Sequence, residues 1–180
     1  MAADGPEIET LSSRVVYENR WMRVREDAIR RRDGSTGIYG VVEKPDFAVI
    51  VPLDADGRLH LVEQYRYPVG ARFPEFPQGS WGDGATVTPE AVARAELREE
   101  TGLDAAELIH AGHLFEGYGY ASQGCHVFLA RGLRPGPPAP EAEEGDLVAR
   151  AVPVAEVERM IRNGEIRDAV SVAAFGLLLL

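Results

Sequence analysis

Apolar positions along this chain follow the period of strands, then of one helix, then of strands again, and finally of two helices. Over residues 15–44 the runs VVYEN, WMRVREDAIRR and TGIYGVVEK, with the turn signal Asp33-Gly34 between the last two, predict a hairpin and a small antiparallel N-terminal sheet. FAVIVPL at 47–53 is continuously apolar, and the turn residues at 54–57 lead into a second strand in RLHLVEQYRYP; both are expected to enter a central sheet. Residues 69–88 carry several glycines and prolines and read as a loop. A helix is expected from about Pro89 to Thr101, because Thr88 is a good N-cap, Pro89 suits the first helical position and Gly102 suits a left-handed stop. ELIHAGHLFEG and GCHVFLARGL then read as strands joined by YGYASQ, and LVARAVP as another. VAEVERMIRN is an amphipathic helix ended by Gly164, and Asp168 caps a last, apolar helix. This alternation predicts an α/β core.

Composition narrows the picture. At 180 residues with 45% hydrophobic content the chain suits one domain with a sizeable core. Its formal net charge of -10 argues against nucleic acid or an anionic membrane as partner, but leaves room for an anionic small molecule bridged by a cation. The only cysteine, Cys125, cannot form an internal disulfide, so a reducing cytoplasm is the simplest location; in GCHVFLA it reads as a small buried hydrophobe rather than a nucleophile. The first four residues lack a basic region followed by an apolar run, so no signal peptide is expected, and the apolar tail at 169–180 is too short to span a bilayer. Residues 1–13, polar and poor in aromatics, are expected to fray.

The chemistry concentrates on the helix at 89–101. Glu96, Glu99 and Glu100 are related by three- and four-residue steps and gather on one face. Like charges at that spacing cost roughly 0.2–0.5 kcal/mol per pair, and these sit near the helix C-terminus, where the dipole favours cations. A solvated face with Arg94 and Arg98 as local partners is one reading. The other is a site for a hard divalent ion, which takes oxygen ligands and shares them with substrate phosphates.

The stretch A95-E96-L97-R98-E99-E100-T101-G102-L103 resembles the core of the Nudix box, whose form ends R-E-U-x-E-E-x-G-U with U a bulky aliphatic, and eight of the nine positions fit. Upstream, E75-F76-P77-Q78-G79-S80 is similar to the glycine-containing opening of the box. V62-E63-Q64-Y65-R66-Y67-P68 resembles the preceding strand of ADP-ribose pyrophosphatase-like members. The resemblance extends to I166-R167-D168-A169 and covers most of the chain from Trp21 onward. It departs from the family at the box arginine, where Ala95 stands, and at the first box glutamate, where Ala85 or Val87 falls.

The resemblance implies a Nudix fold, a mixed β-sheet sandwiched between helices, as a domain over 46–180 with a β-region over 14–45 that serves as a dimerisation element. It implies a hydrolase of the diphosphate linkage in nucleoside diphosphate derivatives, ADP-ribose or a nucleotide sugar foremost, acting with Mg2+ or Mn2+ in the cytoplasm as a homodimer. A nucleotide-binding sensor with weak or no turnover is the alternative that Ala95 and the missing glutamate raise. Glu96, Glu99 and Glu100, with the carbonyl of Gln78, are the implied metal ligands. Glu99 and Glu100 are also catalytic candidates, and Glu143 or Glu144, in the proline-rich acidic loop at 134–146, is the implied base; a solvated acidic loop is the plain reading of that pair.

Arg66 suits a phosphate as a bidentate donor, or a salt bridge to Glu63 or Glu75, and Glu75 in turn adds a carboxylate or pairs with Arg66. Tyr17, Trp21, Tyr39 and Tyr118 are candidates to stack on or contact a base or sugar; Tyr120 shares the loop of Tyr118, where the family's ADP-ribose members often carry a proline. An individual aromatic in a strand is more often core. His60, His110, His113 and His126 lack the spacing of a zinc site and read as structural or surface residues.

Overall fold

The structure, a computed structural model, describes residues 6–80, 87–136 and 147–179. Contacts divide the chain into two compact units, Met1–Pro45 with Phe115–Gln123, and Asp46–Leu114 with Gly124–Leu180.

In the first unit β1 (Ile8–Glu18), β2 (Arg23–Arg31) and β3 (Thr36–Glu43) form an antiparallel sheet in that order. The expected hairpin is there, turned by Gly34 at φ 82°. The fraying expected through residue 13 is corrected: Ile8 pairs with Arg31 and Ser13 with Asp27, so the strand begins well before Val15. Its polar composition hid it, since a two-sided edge strand lacks the apolar alternation of a buried one. Two bulges leave Leu11 and Val16 as extra residues in β1. The loop at 115–123 runs along β3, with Val42 N–H donating to the Tyr120 carbonyl and Ser122 N–H to that of Val42.

The second unit holds two sheets. β4 (Phe47–Pro52) lies between β7 (Gln78–Gly79), antiparallel to it, and β9 (Gly124–Pro135), parallel to it, with β8 (Leu103–Phe115) beyond β9. The sheet is therefore mixed. β5 (Arg58–Arg66) belongs instead to a second sheet, between β10 (Val148–Pro153) and β6 (Ala71–Glu75), so the two central strands expected in one sheet are divided between two. The glycine- and proline-rich segment expected to be loop contains β6 and β7. Both are short and exist by pairing with β5 and β4, a tertiary effect that local composition does not announce.

Among the described residues three α-helices cover these sheets: α1 (Pro89–Thr101), α2 (Val154–Arg162) and α3 (Ala169–Leu178). Thr88 Oγ1 accepts the Ala91 N–H, and Gly102 closes α1 at φ 69°, as the sequence predicts. Every residue of β4 is buried because its two faces serve two cores. Ala48 and Ile50 pack with Val92, Ala93 and Leu97 of α1, while Phe47, Val49 and Val51 join Val157 and Met160 of α2 and Val170 and Phe175 of α3. The mixed sheet is thus sandwiched between α1 and the two C-terminal helices. None of the helices among the described residues is long and apolar enough to cross a membrane.

Leu97 is 1% exposed and is the side chain by which α1 grips the sheet. Leu97→Ala should lower the unfolding free energy by about 2–5 kcal/mol, measured by urea denaturation; a loss under about 1 kcal/mol would mean that α1 is held by other contacts.

Candidate active site

Two of the three candidate glutamates are buried: Glu96 at 7% and Glu100 at 4% exposure, with Glu99 half-buried. Acids rarely reach that depth unless paired or coordinating a cation. What brings them there is the contact of α1 with β7. Glu100 Oε2 accepts the Gln78 N–H at 2.9 Å. The Glu96 carboxylate lies so close over Gly79 that a Cβ there would overlap its carbon and both oxygens. Glycine at 79 is a requirement of this approach rather than of the backbone angle.

Arg94 and Arg98, the local partners of the solvated-face reading, point elsewhere. Arg94 bonds Glu90 at 2.9 Å and the Ala105 carbonyl at 3.0 Å, and Arg98 Nε bonds Asp104 at 2.8 Å. Neither takes the place of the box arginine missing at Ala95.

A cation reaches the site from β5 instead. The Arg66 guanidinium binds Glu75 with two donors, Nε to Oε2 at 3.1 Å and Nη2 to Oε1, and Gln64 Nε2 adds a third bond to Glu75 at 3.0 Å. The pairing alternative for Arg66 is therefore realised with Glu75, while Glu63 faces Arg72. Burial pushes the Glu75 carboxyl above its ordinary range, with Arg66 pulling the other way. Burial also works against the charge of Arg66, but Glu75, Glu100 and Asp168 outweigh it and raise its pKa. Arg66 thus stays charged in the field of three carboxylates.

Asp168 is the residue whose role here the sequence did not reveal beyond its capping signal. As N-cap of α3 its Oδ2 accepts from Ser171 N and Oγ, and it also accepts from Gln78 Nε2 at 3.1 Å. Ser171 Oγ in turn accepts the Phe76 N–H at 2.8 Å. The segment from Phe76 to Gln78 is thereby fixed to α3 on one side and to α1 on the other.

Glu96, Glu99 and Glu100 offer oxygen atoms alone, and the glycine cradle leaves no side chain between Glu96 and the backbone of β7. This fits a hard divalent ion. The remaining candidates belong to the first unit or lie outside the described residues, apart from Val87. Tyr17, Trp21, Tyr39 and Tyr118 all belong to the first unit and are exposed, so the core reading does not hold for them. Trp21 carries the Arg20 guanidinium 4.2 Å from its ring centroid and lines an open recess with Asn19, Met22, Lys44 and Pro45. Glu143, Glu144 and Ala85 lie outside the described residues. Val87 packs beside the apolar cluster under α1.

Comparison with known proteins follows the same lines. Residues 43–175 match the NUDIX domain, and residues 8–42 match the nucleoside diphosphate sugar hydrolase N-terminal domain. The chain belongs to the Nudix hydrolase family. It is 34% identical over 168 residues to an ADP-ribose pyrophosphatase of Mycobacterium tuberculosis (strain ATCC 25618 / H37Rv), covering 93% of this chain and 81% of that protein. An ADP-ribose pyrophosphatase of Bacillus subtilis (strain 168) is 25% identical over 173 residues, 96% of this chain and 92% of its own. Among solved structures, an ADP compounds hydrolase superposes with a TM-score of 0.83 at 22% identity, over 96% of this chain and 92% of that one, which establishes the fold. In this Nudix chain the acidic helix is the box helix, and the antiparallel sheet of the first unit is the N-terminal domain.

The cradle at Gly79 makes a sharp prediction. Glu96 is the flexible end of a side chain, so Gly79→Ala should leave the unfolding midpoint nearly unchanged while displacing the carboxylate and weakening Mn2+ binding at least ten-fold, read by electron paramagnetic resonance titration. Unchanged affinity would remove Glu96 from the site.

Proposed function

We propose that this Nudix hydrolase cleaves the diphosphate of ADP-ribose or a related nucleotide sugar, with Mg2+ or Mn2+ held by Glu96, Glu99, Glu100 and the Gln78 carbonyl. The observation that carries the reading is the pair of buried carboxylates drawn over the backbone of Gln78 and Gly79. The named activity of both relatives favours ADP-ribose within the class. When bound, a divalent ion supplies neutralisation of the diphosphate charge and polarisation of phosphorus.

The chain's own residues supply the rest. Glu100 is oriented by the Gln78 N–H, and Gln78 by Asp168, so the carboxylates meet the substrate pre-positioned rather than free to rotate. Arg66 keeps 40% of its side chain accessible while Glu75 fixes its plane, which suits a phosphate oxygen at the open edge. Glu143 or Glu144 takes the proton from the attacking water. Trp21, with Tyr17, Tyr39 and Tyr118, offers exposed rings for base or sugar, and the protein works in the cytoplasm.

Glu100→Gln keeps an acceptor for the Gln78 N–H, so the fold should survive while AMP release from ADP-ribose falls by about a thousand-fold or more, followed by chromatography with Mg2+ and with Mn2+. A fully active variant would refute the metal-site assignment. Calorimetric binding of ADP-ribose by the unaltered protein, with no product after long incubation, would favour the sensor reading that Ala95 raises.

The same reading makes the protein a homodimer through its N-terminal sheet. All eleven residues of β1 are exposed, among them the apolar Leu11, Val15, Val16 and Tyr17, and Ile38 of β3 is exposed as well. Leu11→Glu combined with Ile38→Glu should convert a dimer to a monomer in sedimentation velocity; a protein already monomeric before substitution would overturn this part.

A further inference from the structure

Three of the four histidines, scattered in sequence, converge in the second unit. The parallel register of β4 and β9 sets Phe47 opposite Cys125, which places the preceding residues, Asp46 and Gly124, side by side. Asp46 Oδ1 accepts the Gly124 N–H at 2.7 Å, and this leaves Oδ2 turned toward two imidazoles. His113 Nε2 of β8 is 3.3 Å from Oδ2, and His126 Nε2 of β9 is 3.6 Å from it. A tetrahedral ion with bonds of about 2.05 Å to nitrogen and oxygen has ligand-to-ligand edges of about 3.3 Å. The two edges at Asp46 are near that length, and all three donor atoms lie within 4.8 Å of one another.

Two surrounding features complete the arrangement. Gly124 is a cradle: a Cβ there would overlap the His113 ring and come within 2.7 Å of Asp46 Oδ2, so a side chain at 124 is incompatible with the cluster. On the far side of His126, Nδ1 is 3.4 Å from His110 Nε2, the position of a partner that accepts Nδ1–H and turns Nε2 outward as a lone-pair donor. With side-chain exposures of 47% for Asp46, 34% for His113 and 23% for His126, the site opens to solvent and leaves a fourth position for water.

We infer that Asp46, His113 and His126 form a second cation site, for a borderline divalent ion of the zinc class, chemically distinct from the hard-ion site of the box glutamates. Imidazole nitrogen selects zinc, cobalt or nickel, whereas carboxylate oxygen suits magnesium or manganese. A bound ion clips the beginning of β4 to β8 and β9.

Cobalt(II) is the probe, because tetrahedral coordination by nitrogen and oxygen gives intense visible absorption. Titration of the full chain in excess Mg2+ should give saturable absorption at one equivalent, unchanged in Glu100→Gln and weakened at least ten-fold in both His113→Ala and Asp46→Asn. Asp46→Asn retains the acceptor for Gly124 N–H, so it tests the ligand even if a histidine variant folds poorly. Absence of saturable absorption, its persistence in both variants, or its loss in Glu100→Gln would overturn the site. None of these outcomes depends on whether ADP-ribose is the substrate.

Discussion

Carboxylates can be buried against backbone only where the backbone makes room and supplies donors, and the catalytic half of this chain is arranged to meet that condition. An ionised acid without compensation in such a place costs many kcal/mol. Here Gly79 removes the Cβ that would bar Glu96, and the Gln78 N–H meets Glu100. β7 is two residues long because its work is to present those two positions against β4 and α1. The bonds from Asp168 and Ser171 then tie the same segment to α3. Strand, box helix and C-terminal helix are thus coupled through the three residues from Phe76 to Gln78.

The first unit is built on a different balance. The ladder of its sheet is laced by ion pairs such as Arg14 with Glu26 and Arg30 with Glu9, whose side chains are largely exposed. Exposed pairs contribute about 0–1 kcal/mol each, so they set register more than stability. A three-stranded sheet needs a buried apolar face to persist. Ile29 of β2 is buried, while Leu11, Val15, Val16, Tyr17 and Ile38 stay exposed, and these exposed residues are what the dimer reading would cover.

What the sequence disclosed was local chemistry, and what it concealed was long-range pairing. Thr88 and Gly102 mark the ends of α1 because caps are written in adjacent residues, and Asp168 marks α3 for the same reason. FAVIVPL announced a strand buried on both faces by its unbroken apolarity. The motif placed Glu96, Glu99 and Glu100 on a helix, but their depth depends on β7, which composition presented as loop. Arg66 was legible as a choice between partners, and the fold chose Glu75. The histidines read as dispersed because a ligand set assembled across β4, β8 and β9 has no spacing to recognise; only register brings Asp46 beside Gly124.

Register and depth also bear on the missing box arginine. A salt bridge removed at one end leaves a charge in need of a partner, whereas removal at both ends leaves none. In this chain the first box glutamate and the arginine are absent together: Ala95 stands at one position and Ala85 or Val87 at the other, all apolar, and Val87 packs on the cluster beneath α1. The loss therefore creates no orphan charge at the site. Glu96 and Glu100 are set against β7, by the Gly79 cradle and the Gln78 N–H, and β7 is itself held by Asp168. Support by backbone is stiffer than support by a long guanidinium side chain, which must be immobilised at a cost in rotamer entropy. Ala95 is thus better understood as a change in what positions the carboxylates than as the removal of their function, and this is the physical ground for preferring a hydrolase to a sensor.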